Sequence, residues 1–318
     1  MKKETLNTPV VFTIFNRPDF TKKVFKAIAK AKPKKLFVIA DGPRPNMLED
    51  AKKCTQARAV IDKIDWNSEV IKKYSDVNLG NKKGVSSGLN WVFSQVEEAI
   101  ILDDDCLPAP SFFFFCQELL EKYRNNQRVM HISGDNFFPK LSESKDSYFF
   151  SKTPYIWGFA TWKRAWLYYD VDMKSWSDYK NSNKIKRMFV NPCEWKYWRW
   201  VFDKMLEAKV DTWDYAWHYA CLRQEGLSII PRVNLVSNMG FSSQDATQYK
   251  EKLNFPNNFV DRLLAGLPVS DIWEIRHPSR VLMNRKYDAY IFNHILYRKH
   301  SRRNALKVKR YEYLKRNV

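Results

Sequence analysis

The sequence predicts an α/β fold in which a mostly parallel central sheet is flanked by helices. Short β-branched apolar runs at 9–15, 35–40 and 99–102 each end in residues that favour turns. Segments with helical periodicity follow the first two runs, and this alternation is typical of parallel strands joined by right-handed crossovers. Because ligands bind at the carboxyl ends of the strands in such sheets, we expect the loops after these runs to form the functional site.

The loops after the first two runs each carry a charged candidate. Arg17 follows the first run, and Asp41 follows the second run and precedes a helical pattern over 48–64. By position, Arg17 would face a phosphate and Asp41 a base or a ribose, but each also fits an ordinary surface turn. The Asp-Gly-Pro order favours the turn for Asp41, because these residue types are strong turn formers.

A glycine-rich segment at 78–88 leads into a predicted helix that ends near Val96. Gly80, Gly84 and Gly88 permit close approach of the backbone to a ligand, and Gly84 is the candidate contact. The segment matches neither the Walker A loop nor the GxGxxG turn, so it is a weak indication of a phosphate site.

Three consecutive acids, Asp103, Asp104 and Asp105, follow the third run directly. Adjacent carboxylates at a strand end repel one another and lose hydration, which is costly unless a cation lies beside them. Mg²⁺ or Mn²⁺ is the simplest such cation, because hard divalent ions bind carboxylate oxygens and leave room for substrate phosphates. A solvated acidic loop with no chemical role is the alternative.

The second half of the chain is rich in aromatic residues. After a predicted helix that opens at Pro108 and Pro110 and a strand at 129–132, aromatic side chains crowd the segment 148–217. Trp162 and Trp166 are four residues apart, which predicts one buried helix face. We assign most of these side chains to packing, and an exposed subset would suit stacking against a sugar acceptor. A further short strand is expected at 227–230.

Two acids, Asp211 and Asp214, precede a predicted helix that passes through Tyr219 and ends before Gly226. Either acid is well placed to cap the start of that helix, which is a common role for aspartate. Either is also a candidate general base, because a partly desolvated carboxylate has a raised pKa.

The composition is that of a globular chain with a large excess of positive charge. Its 318 residues, 45% of them hydrophobic, suffice for one large domain or two smaller ones. The formal net charge of +19 indicates an anionic partner, whether nucleic acid, a membrane surface or a phosphorylated substrate. Five cysteines without a CxxC pair favour neither a disulfide framework nor a zinc site, so we expect a cytoplasmic protein.

The C-terminal segment concentrates much of this charge. Residues 276–318 contain thirteen Lys or Arg against two acids, interleaved with apolar residues at near-helical spacing. A basic amphipathic helix of this kind favours an anionic membrane surface, where each cation contributes about 1 kcal/mol. An ordinary solvated helix is the alternative. No recognisable nucleic-acid-reading motif is present, so we expect no specific nucleic-acid partner.

Six segments together resemble the GT-A nucleotide-diphosphosugar glycosyltransferases, and within them the inverting N-acetylglucosaminyltransferase I-like group and its bacterial relatives. The resemblance covers about residues 9–247, and its segments in chain order are VVFTIFNRPDF, VIADGP, NLGNKKGVSSGLNWVF, IILDDDCLPAPSFF, IWGFATWKRAW and DTWDYAWHYACLRQEGLSIIPRVNLVSNMGF. It implies a Rossmann-like GT-A domain at 1–250, with a nucleotide-sugar and metal half at 1–135 and an acceptor half at 136–250. A basic, largely helical extension would follow at 251–318.

The resemblance also implies roles for the candidate residues at the nucleotide. Arg17 would lie near the nucleotide and Asp41 against a uracil, with Gly84 and Asp103 counted among the donor contacts. Asp105 would hold Mn²⁺ or Mg²⁺, and Asp104 would reach the ribose or support the metal.

The catalytic base implied by the resemblance is Asp214, from the Trp-Asp pair, in preference to Asp211. Many members also place a late His on the metal, but the loop after Gly240 reads SSQDATQYK and has no His.

The implied activity is metal-dependent, inverting transfer of a sugar, most simply from a UDP-sugar, to a hydroxyl of a glycan or lipid-linked glycan acceptor. Bacterial surface polysaccharide synthesis, with the enzyme peripheral on the inner face of the cytoplasmic membrane, would fit the basic tail. Two alternatives stay open: a sugar-nucleotide nucleotidyltransferase, and a non-enzymatic basic module that binds a membrane or nucleic acid. The first usually has a Gly-rich, basic loop after its first strand, and NRPDF is not one. The second leaves the clustered acids unexplained.

Overall fold

A mixed eight-stranded sheet lies at the centre of the molecule in the computed structural model, which describes residues 5–141, 145–189, 191–207, 211–240 and 267–296. The strands are β1 (Val10–Ile14), β2 (Lys35–Ala40), β3 (Glu69–Tyr74), β4 (Glu98–Asp103), β5 (Cys106–Pro108), β6 (Val129–Ser133), β7 (Tyr148–Ser151), β8 (Phe159–Trp162), β9 (Leu227–Pro231) and β10 (Val236–Asn238). The large sheet has the order β3-β2-β1-β4-β8-β6-β9-β7, and β5 pairs with β10 in a small antiparallel sheet.

Helices pack on the sheet and connect its strands. They are α1 (Pro18–Ala31), α2 (Leu48–Ile61), α3 (Gly80–Phe93), α4 (Phe112–Tyr123), α5 (Lys163–Trp166), α6 (Trp176–Tyr179), α7 (Asn183–Lys186), α8 (Pro192–Glu207), α9 (Asp214–Arg223) and α10 (Arg285–Ile291). Every residue of β1 is buried, as expected for a central strand with both faces covered. α1 begins at Pro18, whose fixed φ suits a first turn, and buries Val24, Phe25 and Ile28.

The direction of the strands places several of their carboxyl ends at one edge of the sheet. β3, β2, β1 and β4 are mutually parallel, whereas β8 is antiparallel to both β4 and β6. β9 is parallel to β6, so β4, β6 and β9 all end at the same edge as β1 and β2. The predicted α/β class with a mainly parallel sheet is therefore confirmed, and the fold is Rossmann-like.

Two local predictions were wrong. The helix expected to follow the glycine-rich segment begins within it, because α3 begins at Gly80 and includes Gly84 and Gly88. A Cβ on Gly88 would lie 2.7 Å from the Ile39 side chain, so this glycine serves the packing of helix on sheet. Trp162 does not share a helix face with Trp166, because it ends β8 and pairs with Glu98. Both tryptophans are nevertheless buried, as predicted.

A buried ion pair connects β7 with the helices that cover it. Lys152, which follows β7, is 1% exposed and places its Nζ 2.9 Å from Glu194 of α8 and 4.0 Å from Asp288 of α10. The Ser151 hydroxyl donates to the other Asp288 oxygen. Burial raises the pKa of Glu194 to about 7, although the charge of Lys152 opposes that rise. α10 is therefore joined to the body of the protein by polar as well as apolar contacts.

The described part of the basic extension packs on the body. Residues 267–284 contain no helix, α10 follows, and Phe292–Leu296 forms a π-helical turn. Ile272, Tyr287 and Phe292 are all buried. Residues 298–318, which carry most of the predicted membrane-binding charge, lie outside the described residues. Among the residues described, no helix combines the length and apolar character needed to cross a bilayer.

Candidate functional site

The acids at the end of β4 lie beside the end of β1. Asp103 is the last residue of β4 and pairs in register with Thr13 of β1. The Thr13 hydroxyl donates a hydrogen bond to the Asp103 carboxylate. Asp104 and Asp105 form the turn to β5, and the Phe15 N–H donates to Asp104 at 3.2 Å. The parallel register thus brings the loop after β1 against all three acids.

Arg17 is the cationic partner of this acidic turn. Its guanidinium lies 2.8 Å from Asp104 Oδ1 and donates a hydrogen bond of 2.7 Å to Asp105 Oδ2. The resemblance implies a position near the nucleotide for Arg17, and the structure places Arg17 at the acidic turn. Its contacts in this structure, however, are with the acids, a pairing the sequence does not indicate.

The acids have raised proton affinities despite that partner. Burial and the charge of Asp105 raise the pKa of Asp103 to about 6, against the opposing effect of the Thr13 hydrogen bond. Burial also raises the pKa of Asp104 to about 7, although Arg17 opposes the rise, and the two neighbouring acids add to it. One guanidinium does not compensate three carboxylates, so an additional cation would be stabilised here.

The end of β10 closes over Asp105. The Met239 N–H donates to the Asp105 carbonyl at 2.8 Å, and the Gly240 N–H donates to the Asn238 side chain at 2.7 Å. A Cβ on Gly240 would lie 2.2 Å from Asp105 Oδ2, so a larger residue here would displace the Asp105 carboxylate. Gly240 was not predicted as a site residue. Only the pairing of β5 with β10 brings it to Asp105, and no pattern in the sequence indicates that pairing.

Asp41 lies at the same edge but its carboxylate is already engaged. It accepts backbone N–H groups from Gly42 at 2.8 Å, Leu79 at 2.8 Å and Gly80 at 3.0 Å, and the Asn78 amide at 3.0 Å. Burial raises its pKa while these hydrogen bonds lower it. Asp41 thus supports the start of α3 as well as its own turn. A Cβ on Gly84 would lie 3.6 Å from this carboxylate, so Gly84 is in ordinary packing distance of Asp41.

Trp213 and Asp214 approach the site from α9. Trp213 stacks on Phe159, the first residue of β8, with ring centroids 5.7 Å apart, and Phe159 pairs with Ile101 near the end of β4. Asp214 is half-buried at the first position of α9 and accepts a hydrogen bond from the Thr212 hydroxyl. Burial raises the pKa of Asp214, and its charge contributes to the raised pKa of Asp103. The predicted base and the acidic turn therefore lie within electrostatic range of each other.

Asp211 has a different function from the predicted cap of its own helix. Its carboxylate accepts the N–H groups of Asn81 at 3.0 Å and Lys82 at 2.8 Å, in the first turn of α3. Asp211 therefore caps α3, about 130 residues away in sequence. This contact favours Asp214 over Asp211 as the acid available for chemistry.

The acidic turn suits a hard divalent cation with few protein ligands. Across the described residues, no cluster of three or more His, Cys, Asp or Glu side chains forms a ready metal cage. The Asp105 side chain is 13% exposed, whereas that of Asp104 is 2% exposed, so Asp105 is the accessible oxygen donor. One carboxylate with phosphate oxygens is an arrangement that Mg²⁺ commonly accepts. The loop after Gly240, which has no His in its sequence SSQDATQYK, lies outside the described residues.

Asp135 is a buried acid that the sequence analysis did not single out. It follows β6 in the Ser-Gly-Asp-Asn turn, is 1% exposed, and neither carboxylate oxygen makes a hydrogen bond of normal geometry to the described residues. Burial raises its pKa well above the ordinary range. Its position after a predicted strand was the available signal.

Comparison with known proteins yields distant structural matches. No protein-family model and no curated protein matches the sequence. Among solved structures, HddC from Yersinia pseudotuberculosis matches with 8% identity and a TM-score of 0.30, over 50% of this chain and 78% of that chain. UDP-glucose pyrophosphorylase complexed with UDP-glucose matches with 8% identity and a TM-score of 0.38, over 78% and 97%. At these scores neither match indicates what this chain binds.

Proposed function

We propose that this protein is a metal-dependent inverting glycosyltransferase that uses a nucleotide-diphosphosugar, most simply a UDP-sugar. The observation that carries the proposal is the placement of two acidic elements at one sheet edge: the turn Asp103–Asp105, and the half-buried Asp214 on α9. A cation site for a diphosphate and a separate base for an acceptor hydroxyl are the two parts that such a reaction needs. The six sequence segments that resemble GT-A enzymes support the same assignment.

The donor would bind where the loops after β1 and β4 meet. Asp105 would hold Mn²⁺ or Mg²⁺, and the ion would neutralise the diphosphate leaving group as a Lewis acid. A cation bound at Asp105 would compete with Arg17 for the same carboxylate oxygen, which lies 2.7 Å from the guanidinium. Arg17 would then be free to contact the donor phosphates, for which a guanidinium is well suited.

Asp214 would act as the general base. Its raised pKa, caused by burial, makes it a better proton acceptor than an ordinary aspartate. It would take the proton of an acceptor hydroxyl aligned for in-line attack on the anomeric carbon, which inverts the configuration there. The stacking of Trp213 on Phe159 holds the start of α9 in place for this role.

The acceptor would be a glycan or a lipid-linked glycan, and the basic C-terminal segment would hold the enzyme on an anionic membrane. Support for this part comes from sequence alone: thirteen Lys or Arg within 276–318, interleaved with apolar residues.

A sugar-nucleotide nucleotidyltransferase is the second candidate. It would use a comparable acidic metal site on a comparable sheet, and one of the solved structures is a UDP-glucose pyrophosphorylase. The loop after β1 argues against it, because Asn16-Arg17-Pro18 leads straight into α1 and offers no glycine-rich cradle for a triphosphate.

Product analysis separates these candidates. The protein is mixed with Mn²⁺ and with UDP-, GDP- or TDP-sugars, and the released products are measured. A glycosyltransferase releases a nucleoside diphosphate, slowly even with water as acceptor. A nucleotidyltransferase releases no nucleoside diphosphate, but when labelled pyrophosphate is added it converts the nucleotide-sugar into a labelled nucleoside triphosphate and a sugar 1-phosphate. A basic binding module does neither.

A further inference from the structure

A cavity of 310 Å³ lies at the end of β9, away from the acidic turn but on the same sheet edge. It is lined by Lys145, Ser147, Arg232, Glu274 and Arg276. Arg232 follows β9 directly, and Ser147 precedes β7, which runs antiparallel to β9. Adjacent strands are about 4.8 Å apart, so the ends of β4 and β9, three strands apart in the sheet, are separated by about 14 Å.

Backbone contacts centred on Ser147 fix this cavity. The Ser147 N–H donates to the Arg276 carbonyl at 2.8 Å, and the Arg276 N–H donates to the Ser147 hydroxyl at 2.9 Å. The Arg232 N–H donates to the Ser147 carbonyl at 2.8 Å. These contacts hold three chain segments together, so the backbone positions of Arg232 and Arg276 are fixed by the fold.

The lining of the cavity carries three cations and one acid. Neither Lys145, Arg232 nor Arg276 forms an ion pair with another described residue, and Glu274 is the single acid in the lining. Three cations around one cavity repel one another, a cost that a bound anion relieves. All three of these side chains are exposed, so a bound anion would meet them at the surface of the protein and not in a buried site like the acidic turn.

We propose that this cavity binds a phosphate or diphosphate group of the acceptor substrate. Two arginines suit phosphate because each guanidinium can donate two parallel hydrogen bonds to its oxygens. The volume lies at the lower end of the range of ligand sites, which fits a phosphate group better than a nucleotide. The identification of the ligand as the acceptor rests on the proposed glycosyltransferase function. The separation of about 14 Å, three strand spacings, then places the anion a short glycan away from the reacting hydroxyl.

Binding of inorganic pyrophosphate to the full-length protein tests the site directly. Calorimetry at low salt and without metal compares the wild type with the double variant Arg232→Gln/Arg276→Gln, in which both backbone N–H groups remain. The control is Lys22→Gln/Lys26→Gln, which removes two exposed cations from α1. We expect the cavity variant to bind about tenfold more weakly or worse and the control to bind as the wild type does. Equal affinity in all three proteins would overturn the proposal.

Two further measurements identify the source of the phosphate. They also distinguish a failure of the anion site from a failure of the glycosyltransferase proposal. A soluble sugar phosphate and a lipid diphosphate in neutral vesicles are each titrated into the same proteins. Weaker binding by the cavity variant than by the wild type in either titration supports the site and assigns the ligand. Equal binding by the two proteins in both titrations overturns the proposal. Affinity for UDP with Mn²⁺ should be equal in wild type and cavity variant. If the wild type does not bind UDP at all, the glycosyltransferase proposal fails while a pyrophosphate result at the cavity stands.

Discussion

The guanidinium of Arg17 lies 2.7 Å from the carboxylate of Asp105 and connects the loop after β1 with the acidic turn after β4. It also lies 2.8 Å from Asp104, which is 2% exposed. Arg17 therefore supplies part of the positive charge that the three acids require. A metal ion and Arg17 would share the acids, and the binding of one should weaken the hold of the other.

Replacing Arg17 should destabilise the protein before any ligand is added. Arg17→Gln leaves Asp104 buried with no cationic partner, and we expect a loss of about 1–3 kcal/mol in the free energy of unfolding at neutral pH. Urea denaturation measures this change. Lys163→Gln is the control, because its partner Glu97 is 78% exposed and such pairs contribute about 0–1 kcal/mol. Equal stability of both variants would show that Arg17 is not the structural counterion.

Asp211 and Asp214 should separate into structural and chemical roles. Asp211→Ala removes the cap of α3 and should cost about 0.5–2 kcal/mol of stability while donor affinity and turnover are kept. Asp214→Asn should keep donor affinity but lose transfer by about 10²–10⁴-fold, the usual contribution of a positioned base. Steady-state kinetics and donor titration distinguish them. A larger loss of turnover in Asp211→Ala than in Asp214→Asn would show that Asp211, and not Asp214, is the base.

The buried pair Lys152 and Glu194 predicts a pH dependence of stability. The pKa of Glu194 rises from 4.5 to about 7 in the folded protein, so the native state binds this proton more tightly than the unfolded state. Its contribution to stability is therefore full below about pH 4.5 and is lost as the pH rises to about 7. That rise corresponds to on the order of 3 kcal/mol.

Glu194→Gln should lack this pH-dependent contribution to the free energy of unfolding, and urea denaturation at several pH values measures it. The wild type should lose stability relative to Glu194→Gln between pH 4.5 and 7. Glu69→Gln is the matched control, since Glu69 pairs with Lys35 at the surface and is 60% exposed. A constant difference between wild type and Glu194→Gln across this range would contradict the prediction.

The C-terminal segment can be tested by truncation. Deleting residues 298–318 should reduce binding to anionic vesicles and spare turnover of a soluble acceptor analogue. The attraction should weaken with salt, because exposed charges are screened beyond roughly 8 Å at physiological ionic strength. If full-length protein ignores anionic vesicles at low salt, or the truncated protein binds them equally well, the membrane proposal is wrong.

The sequence predicted those buried strands whose residues are nearly all apolar. β1, β2 and β4 are continuous apolar runs that end in turn residues, and they were expected within two residues of their observed bounds. β7 and β8 were missed, because YFFS and FATW are four-residue aromatic segments with no period of their own. Their strand conformation depends on antiparallel neighbours from distant parts of the chain.

The candidate site shows the same limit. The three acids were found because a strand and its turn are local features. The pairing of Arg17 with Asp105 joins positions 88 residues apart, and the cap by Asp211 joins positions about 130 apart. Such contacts follow from strand order and helix placement, which no local pattern in one sequence specifies.

Donor binding by Asp105→Asn tests the central claim most directly. Calorimetry would measure the affinity of wild type, Asp105→Asn and the control Asp62→Asn for UDP and UDP-sugars, with and without Mn²⁺. Asp62 is 67% exposed and pairs with Lys72 at the surface, so its replacement should change nothing. We predict metal-dependent binding by the wild type and Asp62→Asn, and loss of the metal dependence in Asp105→Asn with its fold intact. Equally tight, Mn²⁺-dependent binding by Asp105→Asn would contradict the assignment of this sheet edge as a metal-dependent nucleotide-sugar site.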